Sequence, residues 1–264
     1  MLSLVRQPRW LALVALAAVF TMLFWWLGAW QLDRHQERVT RNNQVRSALD
    51  APVQPLTAAM PDPSQLPAGF EHRRVETEGR YLEAAQVLQR NPSGRAGFGV
   101  LTPLELASGG TLLVNRGFVR LSRTDPNAPD AAADLVPPAG EVIVIVRLRA
   151  PEISDGREAP EGQVYDIDPT NATAFSQNLP GLPPPIYAAY GELVEQEPAG
   201  GTDLERPAPA DLGMGPHLFY AIQWWLLIPI AVGGLVLLLR REERDGRTDT
   251  PATPRDAHHQ LPPR

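Results

Sequence analysis

His217-Leu218-Phe219-Tyr220-Ala221-Ile222-Gln223-Trp224-Trp225 opens a stretch that runs on, almost without a polar side chain, from Leu226 to Leu239. At about 1.5 Å per residue, a helix over 217–239 crosses a ~30 Å hydrocarbon core. On such a helix His217, Tyr220, Ala221 and Trp224 fall at i, i+3, i+4 and i+7, which predicts one shared face. Pro229 and the Gly233-Gly234 pair interrupt the run; membrane helices tolerate both, and Pro229 predicts a kink. An imidazole at the mouth of a membrane helix with aromatic companions is either an interfacial anchor or a site.

A second stretch of this kind lies near the other end. Trp10 to Leu32 carries no charged residue. It outruns the apolar core of a signal peptide and ends in Trp25, Trp26, Gly28 and Trp30, not in a small-x-small cleavage site, so it reads as an uncleaved span. Arg6 and Arg9 precede this span; Arg240, Arg241, Arg244 and Arg247 follow the other. Arg34, Arg38 and Arg41 make the first span ambiguous by itself, but the dense cluster after the second decides, because long translocated loops count little. Both termini are expected in the cytoplasm and the middle of the chain outside, in the cytoplasmic membrane of a bacterial cell. In antiparallel spans Trp25-Trp26 and Trp224-Trp225 then sit at a similar depth near the outer surface. They form either an aromatic belt or a wall for a flat apolar ligand.

Composition narrows the function classes. The 264 residues contain no cysteine, which excludes disulfides, thiolate nucleophiles and dithiol copper chaperones. All 24 basic residues are arginine, and with 28 prolines this is the mark of GC-rich coding, a property of the genome. A net charge of −6 with scattered basic residues gives no case for nucleic acid. Between the spans only His35 and His72 are histidines, too few for a histidine metal cluster, and His258-His259 belongs to a polar tail. No nucleophile elbow, phosphate loop or zincin motif occurs. Asp166 and Asp168, in Tyr165-Asp166-Ile167-Asp168-Pro169, read as a strand-end turn, so the expectation is that the protein is not an enzyme.

The expected organisation is a cytoplasmic N-terminus (1–9), a span (10–32), an outside helix and Pro-rich linker (33–69), a β-rich extracytoplasmic domain (70–197), a linker (198–216), a second span (217–239) and a disordered cytoplasmic tail (240–264). Within the domain, strands are predicted at Arg73–Leu82, Ala85–Arg90, Gly97–Leu104, Thr111–Val119 and Gly140–Ala150, with weaker signals at Val164–Ile167 and Ile186–Glu195. Turns fall at Asn91–Gly94 and Ser108-Gly109-Gly110. The fold class is therefore a membrane protein with two transmembrane helices flanking a mainly antiparallel β (α+β) extracytoplasmic domain.

Four stretches in order resemble the surfeit locus protein one family of cytochrome oxidase assembly factors. Leu27-Gly28-Ala29-Trp30-Gln31-Leu32-Asp33-Arg34 is similar to its signature at the exit of the first span. Arg74 to Tyr81 resembles its first strand. Gly99–Leu104 followed by Leu113-Val114-Asn115-Arg116-Gly117-Phe118-Val119 resembles its central hairpin, and His217 to Trp225 the motif opening its second span. Phe118 stands where the family usually has tryptophan, and a later Trp-rich segment is reduced to Val164-Tyr165-Asp166-Ile167-Asp168. The resemblance implies a role in building the haem–copper oxidase when subunit I receives its haem a, with subunit I and the haem a synthesis machinery as partners beside the lipid bilayer. It also implies that His217 matches a haem a ligand of some bacterial relatives. A neutral imidazole can ligate ferric haem through one ring nitrogen. Tyr220 and Trp224, with Trp26 and Trp30 across the hairpin, are then candidates to hold the macrocycle edge, and Arg34 or Arg116 to pair with the propionates. The competing expectation is a cofactor-free scaffold that binds oxidase subunits.

Overall fold

The computed structural model describes residues 8–248 except 84–85, 91–95, 124, 126–127, 131–134, 154–155, 158, 161, 171–180, 201–203 and 208–209. In chain order the elements are α1 (Pro8–Asp50), β1 (Gln54–Pro55), α2 (Leu56–Ala59), β2 (Arg74–Tyr81), β3 (Val87–Arg90), β4 (Gly97–Leu106), β5 (Thr111–Arg120), β6 (Glu141–Arg149), β7 (Gln163–Val164), β8 (Ile186–Glu197) and α3 (His217–Thr248). They form two compact units, residues 1–40 with 213–264 and residues 41–212.

The first unit is a pair of long apolar helices. The most apolar windows of α1 and α3 have only 6% and 0% of their residues buried, so these are not the core helices of a soluble fold. Their apolar side chains, Leu16, Phe20, Leu226 and Ile230 among them, face outwards as lipid-facing residues do. The two helices run antiparallel. As the position along α1 rises, its partner on α3 falls: Arg9 pairs with Glu242, Phe24 stacks on Trp224, Trp25 meets Trp225, and Gln31 meets His217. Gly28 and Ala221, both buried, let the helices approach closely; a Cβ on Gly28 would run into the Trp225 indole. α1 passes without a break from its apolar run into the polar stretch 33–50. α3 also continues, through Arg240 to Thr248, past the expected start of a disordered tail; the rest of that tail lies outside the described residues.

The second unit is a small β-barrel with an added sheet. Pairing runs β2–β6–β8–β5–β4 and closes from β4 back to β2, giving five strands in a ring, while β3 and β7 extend the sheet beyond β4. Alternation explains the interior. Val142, Val144, Val146 and Leu148 of β6 point inward beside Val75, Leu104, Leu112, Val114 and Ala189, all essentially buried. So narrow a ring has room for side chains only, and nothing in it is left for a ligand. The stretch 51–69, expected as a linker, contributes part of this core: Leu56 and Ala59 of α2, with Met60, are each 1% exposed within it. Most pairs are antiparallel, as expected, but β5 and β8 pair in parallel within the ring, as do β1 with β2 and β3 with β7 beside it. The linker 198–216 is likewise tied down, because Phe118 N–H donates to Glu205 O at 2.8 Å and Glu205 N–H to Phe118 O at 2.9 Å. The turn expected at Asn91–Gly94 lies outside the described residues.

Candidate functional site at the aromatic end of the helix pair

α3 begins at His217. Gly215, in the left-handed region at φ +63°, turns the chain just before it, and Tyr220 N–H donates to Pro216 O at 3.1 Å in the first helical turn. The His217 ring leans across to α1, where Nδ1 lies 2.9 Å from Gln31 Oε1. A carbonyl oxygen only accepts, so this contact suits a ring that donates from Nδ1–H. A Cβ on Gly215 would stand 3.2 Å from Nε2, and its absence keeps that nitrogen clear of a side chain.

Trp224 and Phe24 stack at 5.8 Å between centroids, and Trp25 and Trp225 lie at 5.9 Å and 33°. The Trp225 indole also donates a long 3.4 Å bond to Trp25 O. Trp224 therefore packs against Phe24. Tyr220 is 42% exposed and meets Phe219 edge-on, so it stands at the rim of the helix contact, not within it. Trp26 and Trp30 are 61% and 44% exposed, open faces available to a flat apolar surface. Arg34 sits over the Trp30 ring at 5.8 Å and pairs with Glu37 at 2.9 Å in a solvent-facing bridge, the kind that is weak and easily exchanged.

Arg116 belongs to the β unit and is 2% exposed. The register slips between Val100 and Leu101, so Arg116 is the extra residue of a bulge; Asn115 Oδ1 accepts from Gly117 N–H at 3.1 Å, and Gly117 has φ +153°. The bulge turns the guanidinium inward, where it donates to Leu135 O at 2.7 Å and Val136 O at 3.1 Å and lies 5.5 Å from the centre of the Tyr81 ring. A group so enclosed presents no surface to a propionate. Here Arg116 serves as an anchor between β5 and the carbonyls of Leu135 and Val136.

The remaining polar clusters of the β unit hold its parts together. Burial raises the Glu152 carboxyl above its ordinary range, although it accepts from Ile167 N–H at 3.0 Å and Tyr190 O–H at 3.3 Å. It also accepts from Gln89 Nε2 at 2.8 Å. Val164 and Ile167 join a second core with Val87, Leu101, Leu113 and Tyr190, which gives the segment from Val164 to Asp168 a packing role. Asp168 accepts from Thr170 N–H at 3.0 Å, a turn and not an acid–base pair. A hollow of about 400 Å³ beside Leu66, Gly69 and Pro151 offers Glu71 and Thr170 but no converging set of groups. No cluster of three or more metal-ligating side chains occurs among the described residues.

Gln31 is the site residue that the sequence reading passed over. It stands in the last apolar turn of the first span, three residues after Gly28, as an uncharged polar side chain on the packed face. That position is the signal that marks it.

The fold defines a membrane protein in which two apolar helices flank a small β-barrel along the chain, with His217 and Gln31 paired at one end of the helix pair. The model of the SURF1 family matches residues 18–228, and the chain belongs to that family, a membrane-associated family of cytochrome oxidase assembly factors whose role is not catalytic. Uncharacterised SURF1-like proteins of Mycobacterium tuberculosis and Mycobacterium bovis are 33% identical to it over 263 residues, covering 93% of this chain and 91% of theirs.

Proposed function

We propose that this protein serves cytochrome oxidase assembly by holding haem a transiently at His217 on its way to subunit I. The observation that carries the reading is the imidazole at the head of α3, with one ring nitrogen engaged by Gln31 and the other edge beside Gly215, a residue without a side chain. When bound, haem a supplies an iron that accepts the imidazole nitrogen. The residues of the chain do the rest. His217 Nε2 tethers, the exposed faces of Trp26 and Trp30 shelter an apolar edge, and Arg34 exchanges Glu37 for a propionate. In this reading both termini are cytoplasmic, the β unit is extracytoplasmic, and the haem a synthesis machinery is the donor.

The test is purification in mild detergent after co-expression with the haem a pathway. Wild type is expected to carry haem absorption and His217→Ala to lose most of it. Equal haem content in the two overturns ligation at His217.

A second reading, a scaffold without cofactor, is favoured by apolar side chains that the β unit leaves in solvent, Ile153 at 95% exposure and Val136 at 54%. Under it, His217→Ala leaves oxidase assembly intact, whereas changes to that surface or to Phe118 break co-purification with oxidase subunits.

A further inference from the structure

We infer that Gln31 is a positioning residue that fixes the tautomer and strengthens the donor power of His217, so that Nε2 is the nitrogen presented to an incoming metal centre. This rests on the proposed reading of His217 as a ligand and extends it to a residue on the other helix.

Three observations converge on it. The first is the hydrogen bond from His217 Nδ1–H to Gln31 Oε1 at 2.9 Å, which joins side chains 186 positions apart in sequence. The second is the close packing that makes this reach possible. Gly28, one turn before Gln31, admits the Trp225 indole, and Ala221, one turn after His217, is fully buried. Gln31 is thus held at a set height and rotation opposite the ring, which a free surface glutamine would not be. The third is Gly215, where a Cβ would stand 3.1 Å from Cδ2 and 3.2 Å from Nε2, so the edge opposite Gln31 faces a residue without a side chain.

The chemistry follows from the ring's two nitrogens. A histidine whose Nδ1–H is held by an oxygen has its Nε2 lone pair free and more basic, and such outer partners both orient the ring and tune the metal it binds. Without the acceptor the ring samples both tautomers and rotates, and the population ready to coordinate falls. Replacing the amide by a carboxylate strengthens the pull on the Nδ1 proton, pushes more electron density to Nε2, and favours the ferric state.

The experiment uses the full-length protein in detergent, the variants Gln31→Leu, Gln31→Glu and His217→Ala, and ferric haem b as the probe. First, ¹⁵N spectra of histidine-labelled protein without haem are recorded above the imidazole titration range, with the His217 signals assigned by their loss in His217→Ala. Wild type is expected to show a protonated-type Nδ1 and an unprotonated-type Nε2, and Gln31→Leu an average of the two tautomers. Second, haem b is titrated and the reduction midpoint measured. Gln31→Leu is expected to bind about 10–100-fold more weakly and with a higher midpoint, Gln31→Glu to bind as wild type or better with a lower one. A role for Gln31 in helix packing alone would not move the midpoint in opposite directions.

The inference is overturned if wild type shows an unprotonated Nδ1, or if both Gln31 variants keep the wild-type tautomer and midpoint. Equal uptake of haem b by wild type and His217→Ala overturns the reading of His217 as ligand instead; the haem-free spectra then still decide whether Gln31 sets the tautomer.

Discussion

His72 shows how one side chain couples the β unit to pH. It is 8% exposed and takes φ +68°, a left-handed conformation uncommon for a residue with a Cβ. Burial first, and then the Arg149 and Arg147 guanidinium groups, lower its proton affinity; Glu71 and Glu192 oppose them. The unfolded chain therefore takes up a proton at this ring at higher pH than the folded one does. The ring's contribution to stability is complete above about pH 6.5, its ordinary pKa, and is lost as the pH falls towards the lowered folded value. His72→Asn, which tolerates the same backbone, is expected to flatten the decline of stability in that window, read by denaturant melts from about pH 7 down to about pH 5. His72 is not legible as special from sequence, because a positive φ leaves no local pattern there. Gln31 shows locally only as a polar residue in an apolar turn, and its partner 186 positions away does not show at all. His217 was legible because it heads an apolar run, a purely local signal.

At the scale of elements, the bulge of β5 is the instructive case. In the sequence, Arg116 was a candidate propionate partner only through the resemblance of Leu113–Val119 to the family's central hairpin. Gly117 explains the bulge: its φ of +153° lies where a side chain is strained, and a Cβ there would meet Glu205 O and Leu204 Cβ, each at 2.8 Å. Arg116 then anchors the chain at Leu135 and Val136 against the barrel. Arg116→Leu is expected to destabilise the β unit by about 3 kcal/mol, since its charge-assisted hydrogen bonds to Leu135, Val136 and Gln86 are lost and the acceptors stranded. Thermal melts measure that loss. Haem content of the protein that remains folded is expected to match wild type, which separates an anchor from a ligand-binding residue. β6 was the most readable strand, because Glu141–Arg149 is rich in β-branched residues and turns Val142, Val144, Val146 and Leu148 to the core, although Arg147 is buried too. α2 was invisible: four residues make one turn, too short for any period, and only the closed ring shows that Leu56 is core.

At the scale of the molecule, two apolar helices and a β-rich middle were legible because lipid and a barrel interior each impose a strong composition on the chain. The parallel pairing of β5 with β8 was not, since it joins strands with β6, β7 and long loops between them. The proposed orientation has a direct test, made clean by the absence of cysteine. Ser108→Cys in the exposed turn between β4 and β5 is expected to react with an impermeant maleimide on cells whose outer barriers are opened, and Arg241→Cys only after the cytoplasmic membrane is breached. The reverse pattern would invert the topology. The filled barrel has a last consequence. Because the barrel is packed with its own side chains, the proposed reading puts any cargo on the flank of the helix pair, where Trp26 and Trp30 are exposed. Traffic to and from such a flank is a two-dimensional problem. Encounters are set by how many donors and acceptors share a patch of membrane, so crowding them into one patch would speed hand-over without any change in affinity.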